Sequence, residues 1–69
     1  MTTTTCNVLY TEGHGRILWR VKVHPMTARK HLKARLRNFA PDAKFIDHHF
    51  GELTPKQIDE TLETGSFPK

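Results

Sequence analysis

The chain has 69 residues, a formal net charge of +4 at pH 7 and 36% hydrophobic residues. A chain of this length forms one domain with a thin core, which excludes eight-stranded α/β barrels and doubly wound dinucleotide-binding folds. We expect a single domain over residues 6–65, a disordered N-terminus at 1–5 and a C-terminal tail at 66–69.

The composition also indicates the cellular compartment of the protein. No apolar run approaches the roughly 20 residues that span a bilayer, and the N-terminal residues lack the charged and apolar regions of a secretory signal. The single cysteine, Cys6, cannot form an internal disulfide bond. We therefore expect a cytoplasmic protein that does not act at a membrane.

The first half of the chain predicts a β-hairpin. Residues 6–11 include the strand-forming Val8, Leu9 and Tyr10, and the segment 12–16 carries two glycines that permit a tight reversal. Residues 17–24 alternate strictly, which is typical of a half-buried strand. One face carries Ile17, Trp19, Val21 and Val23, and the other carries Leu18, Arg20, Lys22 and His24.

Pro25 ends this strand, and a helix is predicted from Thr27 to Phe39. Its apolar residues recur at helical spacing and form one stripe: Ala28, Leu32, Leu36 and Phe39. Residues 43–50 alternate again and predict a third strand. Both of its faces carry large apolar side chains, so the pattern does not decide which face is buried.

A second helix has a clear start. Thr54, Pro55 and Gln57 occupy the N-cap, N1 and N3 positions of a capping box, and Gly65 suits the position just after the helix. The order of elements predicts an α+β fold of the type ββαβα. In it, the hairpin and third strand pack against one amphipathic basic helix, followed by a short C-terminal helix. The predicted core consists of Trp19, Val21, Val23, Leu32, Leu36, Phe39 and Ile58.

Catalytic and metal sites have weak support in the sequence. The five histidines match no zinc-binding spacing, and Cys6 lies near a chain terminus that would hold a nucleophile poorly. We also expect so small a fold to lack a cavity of about 300 Å³ or more. The sequence therefore predicts a protein without enzymatic activity, metal or cofactor.

Charge is distributed unevenly along the chain. Residues 1–50 carry nine Lys and Arg against three Asp and Glu, whereas residues 51–69 carry two against four. The first helix and the preceding strand hold most of the cations, which suit phosphate or carboxylate groups. The predicted partner-binding residues are Arg29, Lys30, Lys33, Arg37, Arg20 and Lys22.

In its size, its basic helix and its element order from Val8 to Phe50, the chain resembles the small host-takeover proteins of tailed bacteriophages. That family includes short inhibitors of host RNA polymerase and of defence nucleases. The resemblance implies a stoichiometric inhibitor that binds an acidic surface of a host enzyme in the host cytoplasm and acts by occlusion.

Two other functions stay open. The same cations could contact the phosphates of DNA or RNA directly, although the sequence has no helix-turn-helix, KH or RNA-stacking motif. A thin core and open strand edges would also suit a small component of a larger assembly. We expect a monomer or a weak homodimer.

Overall fold

The structure, a computed structural model, describes residues 2–68. Its elements are β1 (Thr4–Glu12), β2 (Gly15–Val23), α1 (Arg29–Phe39), β3 (Lys44–Phe50) and α2 (Pro55–Thr64). The three strands form one antiparallel sheet in the order β2-β1-β3. The predicted α+β fold with ββαβα order is confirmed. Neither helix within residues 2–68 has the length and apolar character needed to cross a membrane.

The predicted hairpin joins β1 to β2 through a two-residue turn. Glu12 pairs with Gly15, and Gly13 between them has a φ of 66°. His14 has a negative φ, and a positive first and negative second φ are typical of a type II′ turn. This turn twists in the same sense as the strands, which fixes their register.

β1 is the central strand and is buried on both of its faces. Cys6, Val8 and Tyr10 form the core with Leu32 and Leu36 of α1. The alternate residues Thr5, Asn7 and Leu9 are also buried and belong to the opposite face. We call these the α1 face and the α2 face of the sheet, because each helix covers one of them.

The structure differs from the sequence predictions at the N-terminus and at the start of α1. Disorder at residues 1–5 is wrong for Thr4 and Thr5, because β1 begins at Thr4 and Thr5 is buried and paired with β2. Met1 lies outside the described residues. α1 begins at Arg29, two residues later than predicted, with Ala28 as an N-cap that offers no side-chain hydrogen bond.

The core is also composed differently from the prediction. β1 supplies most of it, whereas Phe39 is 53% exposed and packs its ring against Trp19 at 4.6 Å between ring centroids. Ile58 belongs to α2 and lines a cavity on the α2 face, so it lies across the sheet from Leu32. The sequence predicts a core on one face of the sheet, whereas the structure has one helix packed on each face.

α2 begins and ends as the sequence predicted. The hydroxyl oxygen of Thr54 accepts a hydrogen bond from the backbone N–H of Gln57 at 3.2 Å, and Gln57 Oε1 accepts one from the backbone N–H of Thr54 at 2.9 Å. Gly65 ends the helix with a left-handed φ of 79°. In the tail, the ring of Phe67 stacks on His49 at 5.4 Å.

Candidate functional site

One side of α1 carries a row of cations that faces β3. Arg29, Lys33 and Arg37 recur every four residues and therefore share that side of the helix. Lys30 is exposed and lies next to them around the helix. Because α1 contains no acidic residue, its own sequence does not neutralise these charges.

An aromatic ring of β3 supports two of these cations. The Arg29 guanidinium carbon lies 5.4 Å from the ring centroid of Phe45, and the Lys33 ammonium nitrogen lies 5.6 Å from it. Both distances are within the roughly 6 Å at which a cation is attracted to an aromatic face. Phe45 thus restricts the two side chains to the surface between α1 and β3.

Arg29 is also tied to the adjoining part of β3. Its guanidinium forms an ion pair with the carboxylate of Asp47, and its Nε donates to Nδ1 of His48 at 3.5 Å. The same Asp47 oxygen accepts a hydrogen bond from the backbone N–H of His48 at 2.8 Å. The two ion-paired side chains are 50% and 44% exposed, so the pair leaves part of the Arg29 charge available to solvent.

Lys33 and Arg37 border a groove of about 190 Å³. We call this the cationic groove, and it is lined by Lys33, Leu36, Arg37, Pro41, Ala43 and Phe45. Two cations thus stand over a floor built from aliphatic and aromatic side chains. Such a groove can hold a carboxylate together with a neighbouring apolar side chain.

The other two predicted site residues lie on the opposite side of the sheet. Arg20 and Lys22 alternate with Trp19 and Val21, and therefore point to the α2 face. The ammonium group of Lys22 donates to the hydroxyl of Thr5 at 2.8 Å. The structure therefore brings together Arg29, Lys30, Lys33 and Arg37 and separates them from Arg20 and Lys22. A single partner surface cannot contact both sets without wrapping around the domain.

Three residues that hold the helices against the sheet through side-chain contacts are missing from the sequence prediction. The alternation of residues 43–50 does not decide which face of that strand is buried, so the sequence does not connect Phe45 or Asp47 to α1. Arg16 donates from Nη1 to the backbone oxygens of Leu62 at 3.1 Å and Glu63 at 2.9 Å. This contact closes the C-terminal end of α2 and depends on a sequence separation that no local motif encodes.

Among residues 2–68, no three His, Cys, Asp or Glu side chains are grouped so that they could hold a metal ion. The thiol of Cys6 is completely buried in the core. Burial raises the pKa of Cys6, and a hydrogen bond from the backbone of His49 opposes this in part. The thiol is therefore protonated at neutral pH and shielded from substrates.

Comparisons with protein-family models, with curated proteins and with solved structures found no match to this chain. The function must therefore be argued from the site.

Proposed function

We propose that this protein binds an acidic segment of a protein partner in the cationic groove and regulates that partner by occlusion, without chemistry of its own. The observation that carries the proposal is the placement of Lys33 over the ring of Phe45 inside the groove, with Arg29 over the same ring. Cations that are already restricted lose less side-chain entropy when a carboxylate binds them.

The lining of the groove favours a protein partner over nucleic acid. Pro41, Ala43 and Phe45 offer apolar contact beside the cations, which suits a peptide segment that mixes acidic and apolar side chains. Asp47 stands beside Arg29 at one end of the row and would repel a continuous line of phosphates. Direct binding to DNA or RNA through the same helix is the second candidate, favoured by the five cations of α1.

The resemblance to phage host-takeover proteins supplies the partners to test first, namely a bacterial RNA polymerase and a defence nuclease. Inhibition of either enzyme at a one-to-one molar ratio would identify that enzyme as the target of the proposed regulation. The identity of that target is a separate question from the chemistry of the groove, which can be tested with a synthetic ligand.

The test measures fluorescence anisotropy of a labelled peptide of alternating Glu and Leu residues, and separately of random-sequence duplex and single-stranded DNA. We expect saturable binding of the peptide and only weak binding of DNA. The double substitution Lys33→Glu and Arg37→Glu should weaken peptide binding by about tenfold or more, the size expected when charge-assisted hydrogen bonds are lost.

A matched control separates the groove from general charge. Arg20→Glu with Lys22→Glu gives the same net charge on the α2 face and should leave peptide affinity within about twofold of the original protein. Equal losses in the two double variants would contradict the groove as the binding site. DNA binding that exceeds peptide binding, with a log–log salt slope of about −0.9 per neutralised phosphate, would replace the proposal with the second candidate.

A further inference from the structure

The α2 face holds a larger cavity that the proposed function does not use. It measures about 490 Å³ and lies between α2 and the β1–β2 part of the sheet. The expectation that this fold lacks a cavity of about 300 Å³ is therefore wrong. We call it the α2-side cavity, and it is lined by Asn7, Arg16, Ile17, Leu18, Arg20, Ile58 and Leu62.

The walls of the α2-side cavity are aliphatic, and its charged lining residues are all cations. Leu18, Ile58 and Leu62 provide the apolar surface, and the lining contains no carboxylate. This composition matches a ligand that has an apolar body and a negative charge at one end.

The two arginines of the cavity have different roles. Arg16 is held by its hydrogen bonds to the backbone oxygens of Leu62 and Glu63. Arg20 is exposed, and within residues 2–68 no hydrogen bond or ion pair engages its guanidinium. Arg20 is therefore the cation that is free to form a two-pronged contact with a carboxylate.

Asn7 adds an observation that is independent of charge. It lines the cavity with a side chain that is 0% exposed, and its Nδ2 donates to the backbone oxygen of Gly51 at 2.7 Å. Its Oδ1 is buried and has no hydrogen-bond partner in the described part of the chain. Buried polar atoms are nearly always paired. The register neighbour of Asn7 on β3 is His49, whose Nδ1 is also buried and unpaired and does not reach this acceptor. The acceptor is therefore open to a donor that enters the α2-side cavity.

Arg20 and Asn7 are direct partners in the β1–β2 register, so the two groups lie side by side on the same face of the sheet. From this arrangement we propose that the α2-side cavity binds a small amphipathic carboxylate whose amide N–H lies next to the acid group. The carboxylate binds Arg20, the N–H reaches Asn7 Oδ1, and the apolar chain packs against Leu18, Ile58 and Leu62.

The test is a titration of the ¹⁵N-labelled protein with N-octanoylglycine, followed by two-dimensional NMR. This probe has an apolar chain, an amide N–H and a carboxylate. We expect saturable shifts at Asn7, Arg20, Ile58 and Leu62, and a dissociation constant of about 1 mM or tighter, as ligand efficiencies for a molecule of this size indicate.

Two altered probes separate the contributions of the ligand. N-octanoylglycine methyl ester lacks the charge and should bind about tenfold more weakly or worse. N-octanoylsarcosine keeps the carboxylate but lacks the N–H, and should bind several-fold more weakly because Asn7 stays unpaired. If the ester binds as tightly as the acid, the cavity binds apolar molecules without recognising the carboxylate, and the proposal is overturned.

Protein variants provide the matching evidence. Arg20→Gln changes an exposed side chain and should reduce affinity for N-octanoylglycine by about tenfold while the NMR spectrum keeps its dispersion. Lys22→Gln removes the next cation on the same face, outside the cavity lining, and should leave affinity within about twofold. Unchanged binding by Arg20→Gln, or shifts confined to α1 and β3, would refute the assignment without affecting the cationic groove.

Discussion

Gly65→Ala tests the contact that joins the start of β2 to the end of α2. Gly65 has a φ of 79°, and a Cβ added there would lie 2.9 Å from Nε of Arg16. The left-handed conformation costs an alanine about 1–2 kcal/mol. The clash falls on the end of a flexible side chain, so we expect Arg16 to move away and lose its two hydrogen bonds to the backbone. Both bonds are exposed, so this loss adds about 1 kcal/mol.

The total for Gly65→Ala is therefore about 2–3 kcal/mol of unfolding free energy, and the two parts can be separated. Gly13→Ala is a control without a clash, because Gly13 has a φ of 66° and an added Cβ would meet nothing within 4 Å. Gly13 is the first residue of the type II′ turn, a position that favours Gly, so the substitution should cost only backbone strain, about 1–3 kcal/mol. Arg16→Ala should cost about 1 kcal/mol alone and almost nothing more once Gly65→Ala is present.

Urea unfolding followed by Trp19 fluorescence measures the original protein, the three single variants and the double variant, and gives the coupling between positions 16 and 65. We expect the double variant to be more stable than additivity predicts by about 1 kcal/mol. Additive costs, within about 0.3 kcal/mol, would show that Arg16 keeps its hydrogen bonds beside Ala and would refute the displacement.

Three further outcomes are expected. Thr54→Ala removes the capping bond to Gln57 and should lower the unfolding free energy by about 1 kcal/mol in urea, with peptide binding by the groove unchanged. Because burial raises the pKa of Cys6, the unfolded chain ionises this thiol first, so stability should fall as the pH rises above about 8.5. Cys6→Ala should lack that component of the pH dependence in urea unfolding at each pH. Asp47→Asn breaks an exposed ion pair and should change stability by less than about 1 kcal/mol, yet tighten peptide binding in the anisotropy assay by freeing Arg29. Weaker peptide binding by this variant would show that Asp47 positions Arg29 for the partner.

Local patterns in the sequence were sufficient for the elements and their order. Strict alternation identified β2, and the capping box placed the start of α2 at the residue where it occurs. These signals depend on neighbours a few residues apart, which is the range over which hydrogen bonds and side-chain spacing act. The cations of α1 were found for the same reason.

The layering could not be predicted, because it depends on contacts between distant segments. β1 alternates buried groups of different polarity, with Asn7 between Cys6 and Val8, so its sequence does not mark it as a strand covered on both faces. Nothing in the apolar residues of α2 indicates which face of the sheet they cover. The sequence therefore predicts Ile58 in the core beneath α1 and does not predict the α2-side cavity.

In the candidate site, too, local spacing was predictable from the sequence and contacts between distant segments were not. The spacing of Arg29, Lys33 and Arg37 predicted a shared side of the helix, but the alternation of β3 left open whether Phe45 would meet it. A shift in strand register moves every side chain to the other face, and β3 has such an irregularity opposite Leu9 and Tyr10. The partners of the cations therefore required the three-dimensional structure.

The central position of β1 has a consequence for how this protein opens. Both helices pack on a sheet whose central strand is the nine-residue β1, so neither helix keeps its packing surface once β1 unfolds. Amide hydrogens in the middle of β1 should therefore exchange with solvent only when the whole molecule unfolds, while those near the outer edges exchange by smaller openings. We expect the cationic groove and the α2-side cavity to be lost in one cooperative unfolding event. The exchange rate of the Val8 amide hydrogen measures how often that event occurs.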